Sequence, residues 1–167
     1  MKTLLLVRHA KSSWKYTELD DFERPLNNRG HRDAPRMGKI LSNMKIKPDM
    51  IISSPANRAA TTARLIAEQV GFPLENIQYE ESIYESGVSN LFSVVKNIDT
   101  KFEKVLMVGH NPGFTEMANA LTGNTLSNLP TAGIISTELD IDSWSQITEG
   151  CGKVIFFEYP KKYTAGG

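Results

Sequence analysis

Three stretches of the chain, Thr3 to Val7, Asp49 to Ser53 and Lys104 to Val108, are short apolar runs with little polar alternation. Such runs belong to strands covered on both faces, as in a parallel sheet. After the first, Met37, Ile40, Leu41 and Met44 recur at i, i+3, i+4 and i+7; after the second, Ala59, Ala63, Ile66, Ala67 and Val70 do the same. Each set predicts a helix with one apolar face for the sheet. Pro35 interrupts the first region, so a turn over Asn27 to Arg32 is expected to lead into a helix that starts near Ala34. Gly71-Phe72-Pro73 stops the second helix, a strand follows around Ile77 to Tyr79, and Asn90 to Ile98 reads as a short helix. Gly133 to Ile141 and Lys153 to Tyr159 are strand-like, the first partly alternating, which predicts an antiparallel pair joined to the sheet. The sum is an α/β chain, a three-layer sandwich whose mostly parallel sheet carries an antiparallel C-terminal addition.

With 167 residues and no repeat or linker, one domain over residues 1–160 is expected, with a frayed tail from Lys161 to Gly167. Hydrophobic residues make up 40% and charged residues 23%, which argues against a disordered chain, and no apolar run approaches a bilayer's width. Lys plus Arg and Asp plus Glu number 19 each, so the overall field favours neither nucleic acid nor membrane as a partner. The apolar stretch before Arg8 is too short for a secretory leader. A single cysteine, Cys151, excludes an internal disulfide and points to the reducing cytoplasm. The three histidines, His9, His31 and His110, show no metal-ligand spacing, so neither metal nor cofactor is expected.

The chemistry emerges when the segments after the three apolar strands are taken together, because open α/β sheets bind ligands beyond the carboxyl ends of their strands. Those segments are Arg8-His9-Ala10-Lys11-Ser12-Ser13, Ser54-Pro55-Ala56-Asn57-Arg58 and Gly109-His110-Asn111-Pro112-Gly113. Ser54-Pro55 reads as a helix N-cap with proline in the first turn, which places Arg58 where it leans back towards the strand ends. Two arginines and two helix starts would cage a phosphoryl group. A histidine in such a cage stays unprotonated and can be the nucleophile, with its other ring nitrogen held by an acceptor such as a backbone carbonyl. A second histidine there would donate a hydrogen bond to the phosphoryl oxygens.

These motifs, together with Leu26-Asn27-Asn28-Arg29-Gly30 and Ala59, resemble the histidine phosphatase superfamily in both order and spacing. The resemblance implies the phosphoglycerate-mutase-like fold, His9 as the phosphorylated nucleophile, Arg8 and Arg58 as phosphate ligands, and His110 as the second pocket histidine. Within that superfamily, Arg8-His9-Ala10-Lys11-Ser12-Ser13-Trp14 and Glu23-Arg24-Pro25-Leu26 resemble the small phosphohistidine phosphatases of the SixA type. Two departures stand out: Ala10 replaces a usual glycine, and Asn111 replaces the proton-donating aspartate of the acid-phosphatase branch.

Lys11 and Asn111 are further candidates for phosphate binding, Lys11 having solvent as its alternative. Arg24 either contacts phosphate or braces its loop against carboxylates, and Trp14 and Tyr84 either wall the pocket mouth or pack as ordinary aromatics. His31, in a charged stretch, is expected to be solvated. For the general acid, the resemblance points to Glu85; Asp20 and Asp21 are alternatives, and a missing acid is the remaining one. Only about twenty-five residues separate Ile77 from Phe102, too few for the roof that relatives with small sugar-phosphate substrates carry. An open mouth suits a phosphohistidine on a protein partner, with inorganic phosphate as product. A small phosphoester substrate, or a phosphate-recognition module without turnover, is the alternative.

Overall fold

In the computed structural model, which describes residues 1–164, six strands form one mixed sheet in the order β3-β2-β4-β1-β5-β6. The strands are β1 (Lys2–Arg8), β2 (Met50–Ser53), β3 (Gln78–Tyr79), β4 (Lys104–Gly109), β5 (Ile134–Leu139) and β6 (Gly152–Glu158). The helices are α1 (Asn28–Asn43), α2 (Asn57–Val70), α3 (Val88–Lys96), α4 (Gly113–Thr122) and the short α5 (Lys161–Thr164). Strands β1 to β4 run parallel, whereas β5 pairs antiparallel with both β1 and β6, as the sequence pattern predicts.

The unbroken apolar runs are explained by burial on both faces. Leu5 and Val7 pack with α1 and α2 through Met37, Leu41, Ala63 and Ile66. Leu4 and Leu6 pack with α3 and α4 through Leu91, Val95, Met117 and Leu121. Successive side chains of β1 thus enter opposite cores, the alternation a pleated strand imposes.

Two helix starts differ from expectation. Helix α1 begins at Asn28, ahead of Ala34, because the Asn27 side chain caps it by accepting from the Gly30 amide at 2.8 Å. Pro35 lies inside this helix; the carbonyl it leaves without an N–H partner belongs to His31, an exposed residue. Helix α2 begins at Asn57 with Ala56 as its cap residue, so Ser54 is not the cap; its hydroxyl instead accepts from the Ala56 amide at 3.2 Å. Arg58 nonetheless stands in the first turn. At the C-terminus, α5 extends into the stretch expected to fray, with Tyr163 and Lys162 both bonded to Glu158; the end of that stretch, 165–167, lies outside the described residues.

Gly30 sits against the segment after β1: a Cβ there would come within 2.2 Å of the Lys11 carbonyl. Helix α1 and the segment after β1 are therefore locked backbone to backbone, a contact that no other amino acid permits without displacing one of them.

Candidate active site

Strands β1 and β4 are neighbours, yet their following helices leave to opposite faces of the sheet, α1 to one and α4 to the other. Such a switch opens a crevice at the carboxyl ends. Parallel register puts Arg8 beside Gly109 and Ser53 beside Val108, so His9, His110 and Ser54 emerge at one level. The rings of His9 and His110 have centroids 5.2 Å apart, close to the spacing of adjacent strands.

A cavity of about 290 Å³ opens there, lined by Arg8, His9, Lys11, Arg58, His110 and Asn111, together with Ser12, Trp14, Arg24 and Thr131. A larger cavity of about 420 Å³ lies by β2, β3 and α3, with no histidine, arginine or lysine among the described residues of its wall; the candidate histidines and arginines gather at the smaller one.

His9 is 8% exposed, and its Nδ1 lies 2.8 Å from the Ala10 carbonyl. A carbonyl only accepts, so Nδ1 carries the proton and Nε2 keeps a bare lone pair. Burial, with His110, Arg58 and Arg8 nearby, pushes the pKa of His9 down to about 3, against the opposing pull of the Ala10 carbonyl. Burial and Arg58 likewise bring His110 to about 4. Both rings are neutral at pH 7. His110 Nε2 lies 2.8 Å from the Ser54 hydroxyl.

The Arg8 guanidinium donates through Nη1 to the Leu129 carbonyl at 3.0 Å, and burial lowers its pKa. Arg58 gives both terminal nitrogens to Asp21, to its carbonyl at 2.6 Å and its carboxylate at 2.9 Å. Asp21 also accepts from Arg24 at 3.2 Å and from the Tyr84 hydroxyl at 2.6 Å. Partial burial opposes this, yet the bonds from Tyr84, Arg58 and Arg24 win and hold the Asp21 carboxyl down at about 2. A carboxylate so strongly held ionised makes a poor proton donor. Asp21 orders Arg58, and Arg24 braces its loop against Asp21 and Ser12.

The other expected residues divide clearly. Lys11 and Trp14 border the cavity; Trp14 is 72% exposed and stacks on Arg24, whose Cζ lies 3.7 Å from the ring centroid. Tyr84 does not line the cavity, but its ring meets His110 edge-on at 5.5 Å. Asn111 does line it, with its amide already committed: Nδ2 donates to Asn128 and Leu129, and Oδ1 accepts from the amide and hydroxyl of Thr115. Its side chain ties the 128–129 loop to α4 and has no donor left for phosphate. Glu85, exposed at φ 54°, Asp20 and His31 lie outside the cavity wall. Among the described residues no carboxylate lines the cavity.

Sequence reasoning missed Ser12, Thr131 and Thr62 as parts of the site. Thr62 accepts from the Ala10 amide at 3.0 Å and donates to the Arg58 carbonyl at 2.7 Å, joining the segment after β1 to the start of α2. Its position in the second turn of α2, one turn beyond Arg58, was the available signal.

The family model of the histidine phosphatase superfamily (branch 1) matches residues 4–89. The chain belongs to that superfamily. A chloroplast protein of Arabidopsis thaliana is 31% identical over 153 residues, which cover 87% of this chain and 70% of that protein. Among solved structures, one assigned as the phosphohistidine phosphatase SixA of Agrobacterium tumefaciens superposes with a TM-score of 0.81 at 26% identity, covering 95% of this chain and 98% of that one. A SixA protein histidine phosphatase complexed with tungstate shares the fold, with a TM-score of 0.83 at 20% identity over 96% of this chain and 99% of its own. The mixed α/β sheet with its antiparallel addition is thus the phosphoglycerate-mutase-like architecture of these histidine phosphatases. The histidine phosphatase model and the SixA neighbours support phosphatase activity.

Proposed function

We propose that this chain is a phosphatase that moves the phosphoryl group of a phosphohistidine on a partner protein to His9 Nε2 and then to water. In the first step the substrate P–N bond breaks as a P–N bond forms to His9; the departing imidazole takes its proton from solvent. In the second, water forms a P–O bond, the P–Nε2 bond breaks, and inorganic phosphate leaves. Arg8, Arg58 and His110 face the charge that develops on the phosphoryl oxygens, work otherwise given to a metal ion. Among the described residues no three His, Cys, Asp or Glu side chains cluster to hold one, and the reading is of a metal-independent enzyme.

The observation that carries this choice of substrate is the cavity wall, which holds a bare, unprotonated imidazole nitrogen and no carboxylic acid. An alkyl phosphate needs a proton donor for its alkoxide; a phosphohistidine nitrogen departs without a strong one. Residues 1–160 are taken as one catalytic domain working in the cytoplasm, as the lone Cys151 favours. No helix among the described residues is long and apolar enough to cross a membrane.

The test is hydrolysis of a phosphohistidine peptide, p-nitrophenyl phosphate and an alkyl phosphate in EDTA, with acid-stable and acid-labile ³²P counted on the protein. The expected result is an acid-labile label that chases to phosphate, with the peptide favoured over the alkyl ester by about 10²-fold or more in kcat/KM. An alkyl ester turned over equally fast favours a small-molecule phosphomonoesterase. Activity that vanishes in EDTA and returns with a divalent ion overturns metal independence, and an unlabelled protein that binds phosphate is a recognition module.

A further inference from the structure

Only three buried side-chain nitrogens or oxygens among the described residues lack a hydrogen-bond partner: Arg8 Nε, Arg58 Nε and His110 Nδ1. All three belong to the wall of the one cavity. Buried polar atoms without partners are rare and call for a reason. Two of the three are guanidinium N–H groups, donors by necessity. A phosphoryl dianion offers only acceptors, so the third fits the same ligand only if His110 carries its proton on Nδ1.

What fixes that proton is legible at the opposite nitrogen. Ser54 is fully buried; its hydroxyl oxygen accepts from the Ala56 amide at 3.2 Å, and it lies 2.8 Å from His110 Nε2. Apart from His110, no acceptor stands within reach of the hydroxyl hydrogen among the described residues. Were Nε2 protonated, it would donate to the Ser54 oxygen and leave the hydroxyl hydrogen without an acceptor, and Nδ1 would turn a lone pair towards the phosphoryl oxygens. With Ser54 donating to Nε2, a single arrangement satisfies the hydroxyl, the Ala56 amide and, once phosphate binds, Nδ1.

We propose that Ser54 is a positioning residue which, by donating its hydroxyl hydrogen to His110 Nε2, holds His110 as the Nδ1–H tautomer and so makes it a fixed donor to the phosphoryl group. The proposal deepens the phosphatase reading and rests on it for the identity of the ligand, but the tautomer is a property of the free protein. Arg8, Arg58 and His110 then present three donors to an acceptor-only group. Ser54 itself never meets the substrate, since it lies behind His110 and outside the cavity wall.

The experiment is ¹⁵N-detected imidazole NMR of the full chain at pH 7, with His110 identified by its loss in His110→Asn. A protonated Nδ1 and a bare Nε2 are expected in the native protein, and Ser54→Thr, which keeps the hydroxyl, retains them. Ser54→Ala and Ser54→Cys should lose that single tautomer. They should lower kcat for p-nitrophenyl phosphate about tenfold with KM changed less, and weaken inhibition by inorganic phosphate. In a His110→Ala background, Ser54→Ala should cost nothing more. A merely structural Ser54 would lower Tm in both variants while leaving the tautomer unchanged, which overturns the proposal, as does a native protein with its proton on Nε2. If neither a phosphohistidine peptide nor p-nitrophenyl phosphate is turned over, the phosphatase reading fails, while the tautomer and phosphate binding still judge Ser54.

Discussion

The floor and the mouth of the cavity are built in opposite ways. On the floor, His9 and His110 are each 8% exposed, and the backbone or a buried hydroxyl holds each ring. At the mouth, Trp14 is 72% exposed, and residues 13–20 form no helix or strand. The floor is set by strand register and can hardly vary without loss of the sheet. The mouth is carried on loops that can vary freely. On the proposed function, the chemistry sits on the floor, and whatever selects a substrate sits at the mouth.

The sharpest way to break this division is to remove the floor's lone pair. His9→Ala should lower turnover by about 10³-fold or more while phosphate binding remains measurable by calorimetry, because Arg8 and Arg58 are still in place. A variant with more than a few per cent of native rate would put the nucleophile elsewhere. Next comes Arg58→Lys, expected to cost about 10²-fold, since an ammonium cannot serve Asp21 and a phosphoryl oxygen together as a fork does. Near-native kinetics would place Arg58 outside the reaction.

A third, smaller effect separates the two regions by pH. The floor histidines titrate far below the ordinary value of 6.5, near 3 and 4, so between 6.5 and those values the unfolded chain binds protons that the native one refuses. Stability therefore falls as the pH drops through that window. Asp21, lowered from 3.8 to about 2, acts only below about 4. Thermal unfolding should show Tm declining by several degrees from pH 6.5 to 4, with a flatter profile in His9→Asn. An identical slope in that variant would mean that His9 titrates normally. The smallest effect is expected outside the cavity wall: Glu85→Gln should leave phosphohistidine hydrolysis within about twofold of native, whereas a loss of about 10²-fold would make Glu85 the acid.

Much of this was legible in the sequence, for reasons that can be traced to residues. The three buried strands could be recognised because two-sided burial leaves an unmistakable apolar run, and the histidines and arginines that line the cavity follow from the segments after their ends. The start of α1 was not legible, because Pro35 is normally a stop and the cap at Asn27 outweighs it only through tertiary contact with the Lys11 segment. Ser54 was read as a cap because Ser-Pro is a helix-start signal; its bond to His110 spans 56 residues and leaves no local trace. Asp21 was weighed only as an acid, since the bonds that hold it ionised come from Arg58 and Tyr84, distant in the chain.

The placement of β1 has a kinetic consequence. It is hydrogen-bonded on both sides, to β4 and to β5, and the His9 amide itself donates to the Gly109 carbonyl at 3.0 Å. Amides in such a doubly laddered central strand exchange with deuterated solvent only through large-scale opening, whereas those of residues 13–20 exchange through local fluctuation. His9, the proposed nucleophile, is thus moored to the slowest-opening part of the molecule while the doorway beside it reshapes on a much faster clock. Incoming substrates can be sampled many times over without the reacting atom ever losing its place.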